Sequence, residues 1–309
     1  MFPVLTTLHL GGQEIGLRTY GILIAVGLAA GISLAYRRAR EDGLDGGRVL
    51  DATFWMTVAG LAGSRVVYVI VNAGDYARAC FDGTGAPRGT GAVLNDCTRV
   101  FQIWQGGLVF YGGVAGAALM GLRFARREGW SFLRIGDLFA PALALGHAFG
   151  RLGCLAAGCC FGKETGAEWG ALFHRGSVAF EELVAVSAIS PGSFATPPLH
   201  PSQLYEAIGE MLIFLGLVVF DERLRRRPGR VLMTYVGAYA VVRFVVEMFR
   251  GDVARGYVIA FDTPRFAEAL HLPVNEPVFL SVGQLGSVLV LLALAAYGIV
   301  QRRRARANG

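Results

Sequence analysis

The chain reads as an all-α polytopic membrane protein, with about seven transmembrane helices and a small head of loops on one side. Three observations predict this class. Of its 309 residues, 54% are apolar and only 17% charged, whereas soluble domains run nearer a quarter charged. The apolar residues come in blocks close to the roughly 20 residues a helix needs to cross hydrocarbon. Short arginine clusters separate those blocks. Disorder is excluded because the 43 Gly and 11 Pro lie within apolar blocks rather than polar tracts. Neither a fixed period nor a low-complexity segment points to a repeat. The formal charge of +6 lacks the basic stripe with interleaved aromatics of a nucleic-acid surface, so no nucleic-acid partner is expected.

Taken in order, the predicted spans are residues 20–36, 50–72, 104–122, 138–162, 204–220, 231–249 and 277–301. The first, third and last are almost free of charge. The others carry ionisable residues: Asp51 and Arg65, Arg151, Glu206 and Glu210, then Arg243 and Glu247. The loops holding Arg37, Arg38, Arg40 and Arg48, then Arg123, Arg126, Arg127 and Arg134, then Arg223 to Arg230, then Arg302 to Arg306, contain most of the basic residues. Basic loops stay in the cytoplasm, which predicts a cytoplasmic carboxyl terminus and an amino terminus outside. The amino terminus lacks a basic region before its first span, so a cleaved signal peptide is not expected. The long outside loops, 73–101, 161–199 and 251–276, supply the head of what reads as one integral membrane domain, residues 1–309, the head coming roughly from 73–101 and 161–199. Cys80 and Cys97 share the first of these loops and are candidates for a disulfide.

Charges inside spans are expensive and normally functional or paired. Tyr239, Arg243, Glu247 and Arg250 follow spacings that place them on one helical face, with Arg243 and Glu247 able to pair. His147 and Arg151 are also four apart. After them come Gly150-Arg151-Leu152-Gly153-Cys154 and Gly158-Cys159-Cys160-Phe161-Gly162, glycines that suit a bend or a close ligand. An arginine there suits a phosphate, since its planar fork presents paired donors. Cys154, Cys159 and Cys160 lack the paired spacing of zinc sites, so no metal is expected and they read as small fillers or disulfide partners. Tyr111 lies among paired glycines at the start of the third span, and His200-Pro201-Ser202-Gln203-Leu204-Tyr205-Glu206 opens the fifth. Capping explains Ser202 but not His200, Gln203 and Tyr205 together.

Tyr20-Gly21, Gln105-Gly106-Gly107 to Gly112-Gly113, Gly150-Arg151-Leu152-Gly153, the His200 to Glu206 element, Arg243 to Arg250, and Ser281-Val282-Gly283-Gln284 resemble, in that order, the bacterial prolipoprotein diacylglyceryl transferase family. The resemblance covers about residues 17–300. It implies a multi-pass enzyme of the bacterial inner membrane with a periplasmic head, which moves the diacylglyceryl group of phosphatidylglycerol to the lipobox cysteine thiol of a preprolipoprotein. A thioether forms and glycerol phosphate leaves. The resemblance implies no metal or organic cofactor. Arg151 and Arg243 are expected to hold the phosphate; Tyr20, Arg65, Gly162, His200, Gln203 and Tyr239 are expected to surround the headgroup. The thiol needs a base. The family's usual histidine position holds Tyr111, and its usual asparagine and glutamate are Cys154 and Cys159, so Tyr111, His147 and Glu247 stay open as the base. A transporter for an anionic solute is the rival reading, although no inverted repeat relates the halves. The enzyme reading requires the arginines to face a headgroup, rather than to be locked only to carboxylates.

Overall fold

The computed structural model describes residues 4–10, 13–74, 76, 99–103, 107–225, 227–252, 256–261 and 263–307. Cys80 and Cys97, and most of the 73–101 loop, lie outside the described residues. A hairpin of β1 (Val4–Leu10) and β2 (Gln13–Arg18) leads into α1 (Thr19–Glu41). There follow α2 (Gly46–Val71), α3 (Phe110–Glu128), α4 (Phe132–Ala157), α5 (Val178–Ala185), α6 (Ser202–Val219), α7 (Asp221–Leu224) and α8 (Arg230–Phe249). After these come β3 (Tyr257–Phe261), α9 (Pro264–Ala269), β4 (Phe279–Ser281) and α10 (Val282–Ala307). Two compact units emerge, one of Tyr36–Ile135 and one of Met1–Ala35 with Gly136–Gly309; the divisions fall inside α1 and α4.

Among the described residues, six helices are long and apolar enough to cross a membrane: α1, α2, α4, α6, α8 and most of α10. The third expected span is the exception. Its helix begins at Phe110 rather than near 104, and its apolar part ends at Leu122, before Arg123. Thirteen residues rise only about 20 Å, short of a hydrocarbon core about 30 Å thick. Before the helix starts, the Val109 N–H donates to the Ser64 carbonyl of α2 (3.1 Å), and Gly107 has φ of 75°. The chain therefore runs along the last turns of α2 as irregular backbone.

Within the Tyr36–Ile135 unit, α2 and α3 pack through small residues. A Cβ on Gly112 would meet Val67 Cγ2 at 2.8 Å, and one on Gly63 would meet the backbone of Gly112 and Gly116, both within 3.2 Å. Such close approach is what holds helices together where lipid removes the hydrophobic drive. At the other end of the pair Arg48 bridges to Glu128, and Arg134 donates to the Asp42 carbonyl at 3.0 Å. The basic ends of this unit therefore gather on one side.

In the larger unit, Asp137 of α4 accepts from the Gly229 and Leu232 N–H groups (2.6 and 2.8 Å), capping α8 from a neighbouring helix. Gly27 and Gly31 of α1 lie against Phe149 and Ala142 of α4. At the start of α10, Ser281 and Gln284 exchange bonds in a capping box: the Ser281 N–H donates to Gln284 Oε1 (3.1 Å) and the Gln284 N–H to Ser281 Oγ (3.2 Å). Residues 158–201 fold as a small lobe around Phe161, Phe173, Ala179 and Leu199.

Candidate functional site

Helices α4, α6 and α8 bring ionisable side chains together around Glu206, which is 0% exposed. The i, i+4 spacings of the sequence survive folding. Arg151 Nε donates to His147 Nε2 at 3.2 Å, and Arg243 meets Glu247 Oε2 at 2.7 Å. Both arginines also reach Glu206: Arg151 touches Oε1 at 3.0 Å and Arg243 touches Oε2 at 3.4 Å. Arg250 lies 3.9 Å from Oε2 and pairs with Asp252. His147 Nδ1 stands 2.7 Å from Glu210 Oε1, and the His147 ring packs on Tyr239 at 5.3 Å. Glu206, Glu210 and Arg250 were not among the expected site residues. The signal was available: Glu206 and Glu210 are four apart in an apolar block, on one helical face with Gln203.

The arginines are thus tied to carboxylates, though not enclosed by them. The Glu206, Glu210 and Glu247 side chains are at most 1% exposed, whereas Arg151, Arg243 and His147 retain 16%, 20% and 20%. Carboxylates form the back of the cluster, and Arg151, Arg243 and His147 its accessible front. Gly283 of α10 makes this possible on one side, since a Cβ there would come within 2.6 Å of the Glu247 carboxyl carbon. Gly209 and Val242, which cross closely (2.6 Å for an added Cβ), line an apolar groove of about 640 Å³ between α6, α8 and the α9 segment. Tyr205, Leu212, Val245, Phe249 and His271 line that groove, and none of the charged residues of the cluster does.

The His200 to Glu206 element acts as a joint. His200 is buried; its Nδ1 accepts from the Tyr205 hydroxyl (3.1 Å) and its Nε2 donates to the His271 carbonyl (3.2 Å), while Trp169 Nε1 donates to the Tyr205 oxygen (3.1 Å). Every donor and acceptor in this chain matches when the imidazole is neutral, and burial pushes the His200 pKa below its usual range. Gln203 Nε2 donates to the Cys159 carbonyl (2.8 Å) and Ser202 Oγ to the Cys160 carbonyl (2.9 Å). Gly162 sits where three backbone segments cross: its N–H donates to the His200 carbonyl at 3.0 Å, and a Cβ would meet the Phe249 carbonyl at 2.7 Å.

Helix α4 does not unwind at Gly150 or Gly153 as expected; it continues to Ala157, and the chain turns at Gly158 with φ of 73°. Gly153 instead lets Tyr20 of α1 approach, with an added Cβ 3.1 Å from its ring. Cys154, Cys159 and Cys160 converge despite their spacing, their sulfur atoms all within 4.8 Å of one another. Arg65 and Tyr111 belong to the other unit. Arg65 donates to the Val100 carbonyl (2.8 Å) and the Gly107 carbonyl (3.1 Å) and lies over the Tyr68 ring. Tyr111 is 78% exposed on the first turn of α3.

With this geometry in view, comparison with known proteins gives one picture. The family model described as prolipoprotein diacylglyceryl transferase matches residues 6–300. A phosphatidylglycerol–prolipoprotein diacylglyceryl transferase of Nitratidesulfovibrio vulgaris is 31% identical over 277 residues, covering 88% of this chain and 92% of the relative. A protein of the same name from Thermosynechococcus vestitus is 32% identical over 80% of this chain and 81% of its own length. The second such transferase of Clostridium perfringens is 29% identical, over 82% and 88%.

Proposed function

Because this chain belongs to the prolipoprotein diacylglyceryl transferase family, we propose that the cluster around Glu206 is where it moves a diacylglyceryl group from phosphatidylglycerol to a prolipoprotein cysteine. The family is one of transferases, which removes the transporter reading. The supporting observation is the arrangement of Arg151, Arg243 and His147 as the accessible front of a cluster whose acids are buried. A guanidinium has five donors, and a carboxylate behind it fixes the fork without using all of them.

In this reading the headgroup phosphate, a diester with one negative charge, lies against Arg151 and Arg243. The acceptor sulfur attacks the glycerol carbon that carries the phosphate oxygen. The S–C bond forms as that C–O bond breaks, and the electron pair stays on glycerol phosphate, whose charge grows by one. Arginines held in place before the reaction stabilise that added charge more than the charge of the bound lipid, which is the condition for catalysis. His147 has its Nε2 covered by Arg151; phosphate drawing Arg151 forward would uncover a lone pair. Tyr20, beside Gly153, and Tyr239, beside His147, would border the headgroup. Gly162, His200 and Gln203 serve the same lipid from further out, through the backbone joints they hold.

The arginine clusters orient the chain with its carboxyl terminus in the cytoplasm and its amino terminus and the 158–201 lobe outside, in the bacterial inner membrane. The alignment of basic ends within the Tyr36–Ile135 unit supports counting α3 as a return crossing in spite of its length.

Purified protein with phosphatidylglycerol is expected to add one diacylglyceryl mass to a lipobox peptide and none to its Cys→Ser form, read by mass spectrometry. Arg151→Ala and Arg243→Ala should each lower turnover by about 10²–10³-fold, the range for one oxyanion-stabilising donor, while inserting normally. Full activity in both variants would reject the phosphate grip.

A further inference from the structure

We propose that Glu210 positions His147 as the base for the acceptor thiol, and that Arg151 keeps this base covered until a phosphate draws it away. The thiol is then ionised only once the donor lipid is in place. This rests on the transferase reading above and adds to it an order of events.

The tautomer comes first. An arginine Nε–H can only donate, so its 3.2 Å bond to His147 Nε2 requires a lone pair on that nitrogen. The ring proton of the neutral imidazole is then on Nδ1, which stands 2.7 Å from Glu210 Oε1. Glu210 is fully buried in an apolar stretch of α6, and a buried carboxylate is costly without a partner. Among the described residues its ion-pair partner is His147 alone. A group that fixes which ring nitrogen holds the proton is what a histidine base requires behind it.

The cover is the second observation. Arg151 spans two groups at once, with Nε on His147 Nε2 and Nη2 at 3.0 Å from Glu206 Oε1. Nε2 and Oε1 are themselves 3.7 Å apart. Both are acceptors in this tautomer, so the guanidinium between them is what makes their approach favourable. A phosphate competes for the same donors. Hydrogen bonds to an ionised partner are roughly twice as strong as neutral ones, so exchanging imidazole for a phosphate oxygen at Nε favours the lipid. The uncovered lone pair is then left facing a carboxylate, which strengthens its demand for a proton.

The groups around the ring are few. Arg151 faces it from α4, Glu206 and Glu210 from α6, and Tyr239 from α8, the two rings packing at 5.3 Å. Arg243 lies behind Glu206, and Tyr235 stacks on Tyr239 at 6.3 Å. Of the base candidates in this unit, Glu247 is sealed against Arg243, whereas His147 keeps an accessible edge.

The step balances as follows. The S–H proton moves to His147 Nε2, the sulfur forms the S–C bond, the C–O bond to phosphate breaks, and its electron pair leaves with glycerol phosphate. The imidazolium passes its proton to water, and Arg151 returns to Nε2. A peptide that arrives before the lipid finds the base covered.

The test uses full-length protein in detergent with phosphatidylglycerol and a lipobox peptide. At saturating lipid, kcat/KM for the peptide should fall on the acid side as His147 takes up a proton. His147→Gln should lose about 10²–10⁴-fold at neutral pH, the range for a general base. That loss should shrink as pH rises, because the peptide thiol, with a pKa near 8.5, ionises unaided. Glu210→Gln keeps the volume but not the charge. It should lower turnover, by up to about 10⁴-fold where the wrong tautomer results, and move the acid limb to lower pH, since the charge favouring imidazolium is gone. A loss that is uniform across pH, with the limb unmoved, overturns the positioning role. Carbethoxylation of His147 by diethyl pyrocarbonate, located by mass spectrometry, reads the cover. It should be slow in lipid-free protein and faster with glycerol phosphate or in Arg151→Ala; no acceleration by glycerol phosphate overturns the cover. A parent that transfers lipid while His147→Gln matches it at every pH sinks this inference and leaves the transferase reading intact. A parent that transfers nothing, while glycerol phosphate still uncovers His147, rejects the transferase reading instead.

Discussion

Helices α4, α6 and α8 are joined by ionisable side chains, whereas α2 and α3 are joined by the near absence of side chains. Both arrangements answer one problem, since lipid tails are as apolar as leucine and do not drive helices together. The glycine seam solves it with Gly60, Gly63, Gly112, Gly113 and Gly116. Had packing been the only demand on the first group, a similar seam would have served. Its arginines and carboxylates therefore point to a further demand, and the comparison of Arg65 with Arg243 sharpens this. Both are intramembrane arginines. Arg65 donates to two backbone carbonyls left open by irregular chain and lies over two tyrosine rings, as buried polar groups require, while Arg243 rests on two carboxylates and keeps an accessible edge. The charge alone does not mark a site; the partners of the charge do.

Crossed substitutions test whether the two regions differ in kind. Glu206→Ala takes a carboxylate from Arg151 and Arg243, and removing one partner of a buried ion pair costs about 3–5 kcal/mol. Gly63→Leu overfills the seam and should cost about 1–3 kcal/mol. Thermal unfolding in one detergent should rank them in that order. Adding 1 M salt should leave the Gly63→Leu deficit unchanged and alter that of Glu206→Ala. Equal responses to salt would mean that the charged cluster is only another packing device.

The sequence carried the helices well and their junctions poorly. Spans two, five and six were legible within a few residues because long apolar blocks have one solution in a bilayer. The start of α3 was not, because the Val109–Ser64 bond that delays it is a tertiary contact. The pairs His147–Arg151 and Arg243–Glu247 were legible from i, i+4 spacing. Their meeting at Glu206 was not, since no spacing rule relates α4 to α6. The cysteines show the limit most plainly: their spacing did not reveal that Cys154, Cys159 and Cys160 converge where the chain turns left-handed at Cys160.

A smaller effect probes the joint between these helices and the 158–201 lobe. His200 is held neutral by burial, so its pKa is lower folded than unfolded. Between the folded value and about 6.5, the unfolded chain binds the extra proton and the folded one does not, so stability falls as pH drops below about 6.5. Unfolding temperature measured from pH 7.5 down to 5 should show this decline. In His200→Asn the decline should be shallower, because an asparagine side chain takes up no proton over this range. A parallel slope in the variant would place the titrating group elsewhere.

The smallest expected effect belongs to Tyr111→Phe. Removing the hydroxyl from a residue 78% exposed on the first turn of α3 should leave stability within about 0.5 kcal/mol of the parent. For turnover, the outcome decides whether this hydroxyl takes the thiol proton. An ordinary phenol has a pKa near 10 and accepts a thiol proton only if a cation lowers that value, so a residue this exposed should cost less than about tenfold on losing its hydroxyl. A loss of 10²–10⁴-fold, the range for a general base, would assign the proton to Tyr111 and take that role from His147.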